Sequence, residues 1–154
     1  LKPGYRYNET LATAICQSVC MVVVYSPRYE RHEYCLREYE AMARLDEQRR
    51  RLLGEAAAPG AGFIIPIILR GVEDVPPRIA EQQHRCDFSR FSLASPDLSR
   101  NPEYAKHIRR IAEVIYEHYQ AFRKMQVDPC EACLAFQLPP ASDVAPWRPA
   151  FVNR

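Results

Sequence analysis

The sequence has no long apolar run and almost no excess of charge of either sign. No stretch approaches the roughly 20 consecutive apolar residues that a membrane-spanning helix requires, so no membrane-crossing segment is predicted. Lysine and arginine number 21 against 19 aspartates and glutamates, and the formal net charge of +2 is too small to indicate a nucleic-acid surface. Leu1–Gly4 lack the layout of a signal peptide. We therefore expect a cytoplasmic protein without a membrane or nucleic-acid partner.

Metal-binding patterns are equally scarce. The four histidines show no ligand spacing, and Cys130 and Cys133 supply only half of a structural zinc site, which needs four ligands. His84 and Cys86 could complete such a site in space, although the sequence has no second pair at zinc spacing. Six cysteines could also form three disulfides, but a chain with 47% hydrophobic residues does not need such staples. We expect reduced thiols, no metal and no bound cofactor.

The sequence does contain the alternation of strands and helices that is typical of one α/β domain. Its 154 residues suit a single domain. Two short apolar runs predict parallel strands covered on both faces, and three stretches with helical periodicity predict helices. The predicted strands are 19–25 and 63–69, and the predicted helices are 8–17, 33–53 and 102–125. This order predicts a parallel sheet flanked by helices, followed by an irregular tail, 126–154, on the domain surface.

Several side chains are expected to have structural roles. Pro66 cannot donate a ladder hydrogen bond, which favours a bulge or a position near the sheet margin. Asn8 is the expected N-cap of the first helix, after a loop over residues 2–7 that contains proline and glycine. Arg49–Arg51 are expected to form a solvated helix face. The last helix carries an apolar stripe that is expected to be core: Tyr104, Ile108, Ile111, Ile115, Tyr119 and Phe122.

One carboxylate, that of Glu38, occupies a position where an ionised group is costly. If residues 33–53 form one helix, residues three and four apart share a face. The apolar stripe of that helix consists of Cys35, Tyr39, Met42 and Leu45. Glu38 falls on the same stripe, and an unpaired carboxylate on a packing surface is unfavourable by several kcal/mol. The step from Tyr25 into this helix also lies at the carboxyl end of a predicted strand, where parallel sheets bind ligands.

Four short motifs follow one another along the chain. They are Lys2-Pro3-Gly4, the run 15–29 that ends in Ser-Pro-x-Tyr, Tyr34-Cys35-Leu36-Arg37-Glu38, and the strand at 63–67. In this order and at these spacings they resemble the BB loop, helix B with strand C, the start of helix C and strand D of a bacterial-type Toll/interleukin-1 receptor (TIR) domain. The resemblance covers residues 1–125 and implies a flavodoxin-like fold.

The resemblance also implies an activity. In family members that are enzymes, the glutamate of the aromatic-Cys-x-x-Glu motif is catalytic, and they cleave the nicotinamide–ribose bond of NAD+. Carried over, Glu38 is catalytic, Tyr34 lies beside the nicotinamide ribose, and Ser26 and Tyr29 lie on the rim of the pocket. NAD+ is then a substrate rather than a cofactor. A carboxylate near the ribose can stabilise the positive charge that develops as neutral nicotinamide leaves.

The resemblance further implies an assembled effector in bacterial defence. In the family, the BB loop of one copy meets the pocket of the next, and here that loop would include Lys2, Pro3, Gly4 and Tyr5. A homo-oligomer held by TIR–TIR contacts, with a fused or separate sensor, would follow. Two alternatives remain open: a TIR interaction module that recruits partners without turnover, and a TIR cyclase that converts NAD+ to cyclic ADP-ribose with the same residues.

The chain departs from the family pattern at its start. In the family, a first strand, first helix and second strand precede the BB loop, and residues after the first strand line the NAD pocket. The sequence shows no counterpart of these elements, so we expect either the remainder of something longer or a degenerate domain. The resemblance divides the chain into a TIR domain lacking its N-terminal part, 1–125, and an extension, 126–154. The strand at 19–25 is expected to have an open edge.

Overall fold

A computed structural model describes residues 3–56, 62–91, 97–126 and 128–148. Helices and strands alternate along this part of the chain, and short 3₁₀ turns lie in four of the connections and after the last helix. The elements are α1 (Pro3–Gln17), β1 (Met21–Tyr25), α2 (Glu33–Leu53), β2 (Ile64–Ile68), α3 (Pro77–Ala80), β3 (Cys86–Asp87) and α4 (Pro102–Arg123).

The three strands form one parallel sheet in the order β1–β2–β3. Val23 is paired with Pro66, and Ile67 with Cys86. The connections between neighbouring strands pass through α2 and α3, because parallel neighbours need a crossover. The predicted α/β class, with a parallel sheet flanked by helices, is confirmed. The carboxyl ends of β1 and β2 lie at the same edge of the sheet.

Pro66 lies in the middle of the central strand, so the predicted bulge or margin position is wrong. Leu69 N donates to Tyr25 O at 2.9 Å, which shows that Leu69 bonds to β1. Because backbone groups alternate sides along a strand, the nitrogen of Pro66, three residues earlier, faces β3. β3 pairs only with Ile67 and Ile68. The amide hydrogen that proline lacks would therefore have had no ladder partner.

β1 has one covered face and one open face. Val23 is 2% exposed and belongs to the core that includes α2, whereas Val22 and Val24 are 42% and 52% exposed. The prediction that this strand is covered on both faces is therefore wrong. The reason is that α4 packs over β2 and β3, where Ile111 joins the cluster around Ile65. β1 lies at the sheet edge, as expected.

α2 has the predicted bounds, but its inner face contains charged residues. Its buried residues are Tyr39, Ala41, Met42, Leu45, Asp46, Arg49 and Leu53. Arg49 is only 3% exposed, so its assignment to a solvated face is wrong, although the two arginines after it are exposed. Its guanidinium donates to Cys16 O at 2.7 Å and to Val19 O at 3.0 Å. It therefore satisfies the carbonyl group of Cys16, in the last turn of α1, which has no partner within the helix, and that of Val19, just after α1.

Asp46 joins α2 to the start of β2. Its Oδ1 accepts a hydrogen bond from Phe63 N at 3.1 Å, and both of its oxygens pair with Arg50. We expect Asp46→Ala to lower the free energy of unfolding by about 1–3 kcal/mol, because a buried amide loses its acceptor. Urea titration measures the change. Glu47→Ala, which removes an exposed ion pair with Arg51, is the control, and equal losses in the two variants would refute this role of Asp46.

α1 begins at Pro3, earlier than predicted, so the loop predicted for residues 2–7 is wrong from Pro3 onward. Proline suits the first helical position, because the amide hydrogens of the first turn need no helical partner. Gly4 lies in the same turn, and Lys2 lies outside the described residues. Asn8 is inside the helix rather than at its cap, and its Oδ1 is buried without a hydrogen-bond partner in the described part of the chain.

α4 has the predicted start, and its apolar stripe is only partly core. The side chain of Asn101 accepts hydrogen bonds from two amides of the first turn, and Pro102 occupies the first helical position. Ile111 is buried, but Ile108 and Tyr119 are 43% and 44% exposed, so the prediction of an entirely buried stripe is wrong. The apolar arc of α4 is wider than the surface that β2 and β3 offer.

Residues 128–148, which we call the C-terminal strap, contain no α-helix or strand and only one 3₁₀ turn, Ala141–Asp143, so they are irregular, as predicted, but they are anchored in the domain. Cys133 forms a disulfide with Cys16 of α1, so the prediction of reduced thiols is wrong for this pair. The fold brings their Cα atoms to 5.5 Å, a separation that suits a disulfide. Leu138 is 8% exposed and belongs to the main core. The strap therefore takes part in the packing of the domain.

Candidate active site

The candidate site lies where β1 ends and the chain enters α2. Ser26 follows β1 directly, and its carbonyl accepts a hydrogen bond from Tyr29 N at 2.8 Å. This turn leads through a 3₁₀ turn, Tyr29–Arg31, to the first residue of α2, Glu33. The first turns of α2 therefore follow the carboxyl end of a parallel strand, which is where such sheets bind ligands.

Glu38 is half-buried on the inner face of α2 and has no partner among the described residues. It precedes the fully buried Tyr39 and lies one helical turn before Met42, which is also fully buried. Within the described residues, no hydrogen bond or ion pair reaches its carboxylate. Burial raises the pKa of Glu38 above its usual value, because burial penalises the charged form. No stabilising contact therefore explains why a carboxylate stands at this position.

Four cavities in the described part of the chain are formed by residues other than Glu38. Their volumes range from about 160 to 440 Å³. The largest of the four lies between α1 and the strap and is lined in part by Asn8, Arg37 and Leu138. The carboxylate of Glu38 is partly desolvated, because the residue is half-buried.

Tyr34 lies four residues before Glu38 and is 44% exposed. Its ring meets the ring of Tyr7 edge to face, with 6.2 Å between centroids, and the guanidinium of Arg37 lies 5.1 Å from its centroid. The contacts with α1 and with Arg37 hold the ring in place while part of it remains accessible. An accessible aromatic face can stack on a planar ligand. Its predicted place beside the nicotinamide ribose stays a prediction.

The hydroxyl of Tyr29, in the turn that leads to α2, makes a structural hydrogen bond. It donates to Cys35 O at 3.1 Å, which ties the turn after β1 to the first turn of α2. Burial, together with the nearby charges of Cys35 and Glu38, raises the pKa of Tyr29. The predicted site residues Glu38, Tyr29 and Ser26 are therefore brought to one region, although among the described residues no hydrogen bond joins Tyr29 to Glu38.

The strap contacts this region in a way that the sequence did not indicate. The ring of Trp147 packs on Tyr39, with 4.6 Å between centroids, and on Tyr29, with 5.6 Å. Arg37 Nε donates to Pro139 O at 2.8 Å. The strap thereby packs against the first half of α2 and against the turn that precedes it. The only sequence feature that could have indicated this contact is the single tryptophan in the proline-rich tail.

Arg148 fastens the end of the strap next to the candidate site. Its guanidinium binds both carboxylate oxygens of Glu30, at 2.8 and 3.1 Å, and Asp74 Oδ1 at 2.9 Å. Tyr25 OH also donates to Glu30, at 2.7 Å. Burial acts to raise the pKa of Glu30, but the hydrogen bonds from Arg148 and Tyr25 outweigh it and lower that pKa. The turn after β1 is therefore held by the strap and by the strand.

The segment predicted to carry assembly contacts is helical. Pro3, Gly4 and Tyr5 lie in α1, and Lys2 lies outside the described residues. The side chains of residues 3–6 also lie outside the described part. Their role in assembly stays a prediction.

Comparison with known proteins gives the family. A family model described as TIR domain matches residues 1–100, which is more than half of the chain. The chain therefore belongs to the TIR domain family. No curated protein and no solved structure gives a match. The matched residues include Ser26, Tyr29, Tyr34 and Glu38, whereas the strap lies beyond them.

Two further observations concern membranes and metals. Among the described residues, no helix has both the length and the apolarity needed to cross a membrane. The same residues contain no group of three or more histidine, cysteine, aspartate or glutamate side chains placed to hold a metal ion. Cys130 and Cys133, which have half of a zinc-site spacing, instead lie in the strap, where Cys133 is bonded to Cys16.

Proposed function

We propose that this TIR domain is an NAD+ glycohydrolase in which Glu38 acts on the ribose that carries nicotinamide. The observation that supports the proposal is the half-buried carboxylate of Glu38, which has no partner among the described residues and follows the carboxyl end of β1. Glu38 lies within the residues that match the TIR domain family model. A carboxylate in this position does not stabilise the fold, which favours a role toward a ligand.

The chemistry requires a negative charge close to the sugar. The bond between nicotinamide and C1′ of the ribose breaks, and nicotinamide leaves as a neutral molecule with the bonding electrons. The positive charge that remains is spread over C1′ and the ring oxygen, and the carboxylate of Glu38 stabilises it. Water then adds to C1′ and loses a proton, giving ADP-ribose. The partial burial of Glu38 strengthens this electrostatic effect, because the surroundings screen it less than bulk water.

The other site residues position the substrate. The accessible face of Tyr34 stacks on the nicotinamide half, and Arg37 fixes the orientation of that ring through its contact at 5.1 Å. Ser26 and Tyr29 form the rim, where the hydrogen bond from Tyr29 to Cys35 sets the position of the first turn of α2.

The pH dependence of turnover should follow Glu38. Because burial raises its pKa above 4.5, the active carboxylate is lost at a higher pH than for an exposed glutamate, and kcat/KM should fall as the pH drops through the raised pKa. The folded state binds this proton more tightly than the unfolded state, so the contribution of Glu38 to stability should decline as the pH rises above 4.5. A pH profile of kcat/KM measures the first effect. An acidic limb that persists unchanged in Glu38→Gln would assign it to another group.

Leaving-group selectivity tests the proposed reaction. The wild-type protein, at a concentration that permits assembly, is incubated separately with NAD+ and with its reduced form. We expect nicotinamide and ADP-ribose from NAD+ only, because reduced nicotinamide carries no positive charge and is a poor leaving group. Cyclic ADP-ribose in place of ADP-ribose would select the cyclase. Intact NAD+ after prolonged incubation of the assembled protein would reject both enzymatic functions.

A non-catalytic interaction module is the second candidate, and one observation favours it. Val22, Val24, Ile108 and Tyr119 are large apolar side chains that are 42% to 52% exposed, and such surface often marks a binding face. Stable association with a partner or a second copy, without loss of NAD+, would select this reading.

We further propose that the enzyme works as a homo-oligomer in the cytoplasm, as part of a bacterial defence system with a fused or separate sensor. The half-buried carboxylate of Glu38 supports this proposal, since a neighbouring copy could cover the part that remains exposed. Turnover per molecule that rises with protein concentration would support assembly. Turnover per molecule that does not change with concentration, in a protein that stays monomeric, would reject it.

A further inference from the structure

Three cysteines meet where the C-terminal strap crosses the end of α1. Cys16 and Cys133 form the disulfide, and Cys130 lies three residues before Cys133, in a turn where Cys133 N donates to Cys130 O at 3.0 Å. Cys130 Sγ lies 3.9 Å from Cys16 O. A free thiol of the strap therefore stands beside the residue to which the strap is covalently bonded.

The cysteines at this crossing differ in accessibility. Cys16 and Cys133 are 3% and 2% exposed, so a thiol from solution has little access to their sulfur atoms, and exchange requires attack along the S–S axis. Cys130 is half-buried and can be reached from solution. Cys20, the other free thiol near the end of α1, is kept protonated, because burial raises its pKa to about 12. Cys130 is therefore the thiol placed to react.

Arg49 provides a second, independent observation at the same point. Its Nη2 donates to Cys16 O at 2.7 Å, the same oxygen that Cys130 Sγ approaches. The side chain is almost fully buried, and its Nε has no hydrogen-bond partner in the described part of the chain. An unsatisfied buried donor calls for an explanation. A thiolate that forms when the disulfide opens would lie next to this cation and would be stabilised by it.

We propose that Cys16, Cys130 and Cys133 form a thiol–disulfide exchange site that decides whether the strap is covalently joined to α1. The Cys130 thiolate attacks Cys133 Sγ. The Cys130–Cys133 bond forms, the Cys16–Cys133 bond breaks, and Cys16 leaves as a thiolate that takes up a proton from water. The number of electrons is unchanged, so the step needs no oxidant. Two molecules of a monothiol such as glutathione then reduce the new bond through the accessible Cys130 sulfur and become one disulfide.

The exchange would change how the strap is held. Beyond Cys133, the strap remains attached to α2 through Arg37 and Trp147, but its covalent link to α1 is lost. A change in the redox state of the surroundings would then make or break the covalent link at the end of α1. This would alter how firmly the strap, which contacts the first half of α2, is attached to the domain. This inference is independent of the proposed NAD+ cleavage.

The rate at which glutathione reduces the oxidised full chain tests the site. We expect the Cys16–Cys133 bond to open about tenfold or more slowly in Cys130→Ser than in wild type, because direct attack on the buried sulfurs is hindered. Acid-quenched samples are alkylated and mapped by mass spectrometry. Cys35→Ser removes another half-buried free thiol and should keep the wild-type rate. Equal rates for Cys130→Ser and wild type would overturn the proposal.

A measurement on the wild-type protein keeps the test valid if Cys130→Ser fails to fold. With limiting glutathione, we expect a transient species that contains a Cys130–Cys133 bond and an alkylatable Cys16. Reduction of wild type that passes directly from the Cys16–Cys133 form to the fully reduced form would overturn the proposal, whatever the variant does.

Discussion

Glu38→Gln is expected to lower kcat for nicotinamide release by about 10²–10³-fold, the range found when one electrostatic contact to a transition state is removed. The amide keeps the size of the side chain but loses the negative charge that faces the developing positive charge. The fold should remain intact, because the carboxylate makes no hydrogen bond or ion pair within the described residues. The thermal unfolding midpoint of Glu38→Gln should equal or slightly exceed that of wild type, since the substitution removes a partly desolvated charge.

The matched control for this substitution lies on the same helix. Glu47 is exposed and pairs with Arg51 at 2.8 Å, so Glu47→Gln should change kcat by less than about twofold. The test compares the initial rates of nicotinamide release by the two variants, measured at equal concentration and equal oligomeric state. Activity of Glu38→Gln within twofold of wild type would remove Glu38 from the mechanism.

Trp147→Ala is expected to lower the free energy of unfolding by about 2–3 kcal/mol, somewhat less than for a fully buried tryptophan. The ring packs against both Tyr39 and Tyr29, and its removal leaves a gap between the strap and α2. Turnover should fall as well, because the first turns of α2 lose this support and Glu38 is held less firmly. Thermal unfolding and nicotinamide release measure the two effects, and Trp147→Phe should recover part of both.

Leu134→Ala is the control for the strap. Leu134 lies in the same segment but is 95% exposed, so its truncation should change the free energy of unfolding by less than about 0.5 kcal/mol. Hydrogen exchange in α2 should rise in Trp147→Ala and remain unchanged in Leu134→Ala. Unchanged stability and exchange in Trp147→Ala would show that the strap does not brace the helix.

The elements closest to the candidate site could be predicted from the sequence, because their signals are local. The apolar stripe of α2 recurs at helical spacing, and the structure confirms its bounds, Glu33–Leu53. The two longer strands are continuous apolar runs, and the parallel sheet follows from their alternation with helices. The place of Glu38 on the buried face of α2 follows from the same spacing.

The errors came from features that depend on contacts distant in sequence. Whether Val22 and Val24 are covered depends on where α4 packs, which the strand itself does not encode. The charged neighbours of Arg49 indicate a solvated side chain, but its partners are the carbonyl groups of Cys16 in α1 and of Val19 just after α1, 33 and 30 residues earlier. The Cys16–Cys133 disulfide joins residues 117 positions apart, and no spacing rule predicts it.

The start of α1 was misjudged for a local reason. Proline and glycine indicate a loop, whereas proline is also favoured at the first position of a helix. The sequence offers both readings, and the structure selects the helix. The predicted role of Pro3, Gly4 and Tyr5 in assembly now has to be tested on a helical segment.

The position of NAD+ in a complex with Glu38→Gln is the most direct test of the account, since this variant is expected to bind the dinucleotide and to cleave it about 10²–10³-fold more slowly than wild type. The account predicts that a hydroxyl of the nicotinamide-bearing ribose lies within hydrogen-bond distance, about 3 Å, of the side chain at position 38, with the ring of Tyr34 against the nicotinamide half. NAD+ bound at another surface, with the side chain at position 38 contacting no part of it, would contradict the account.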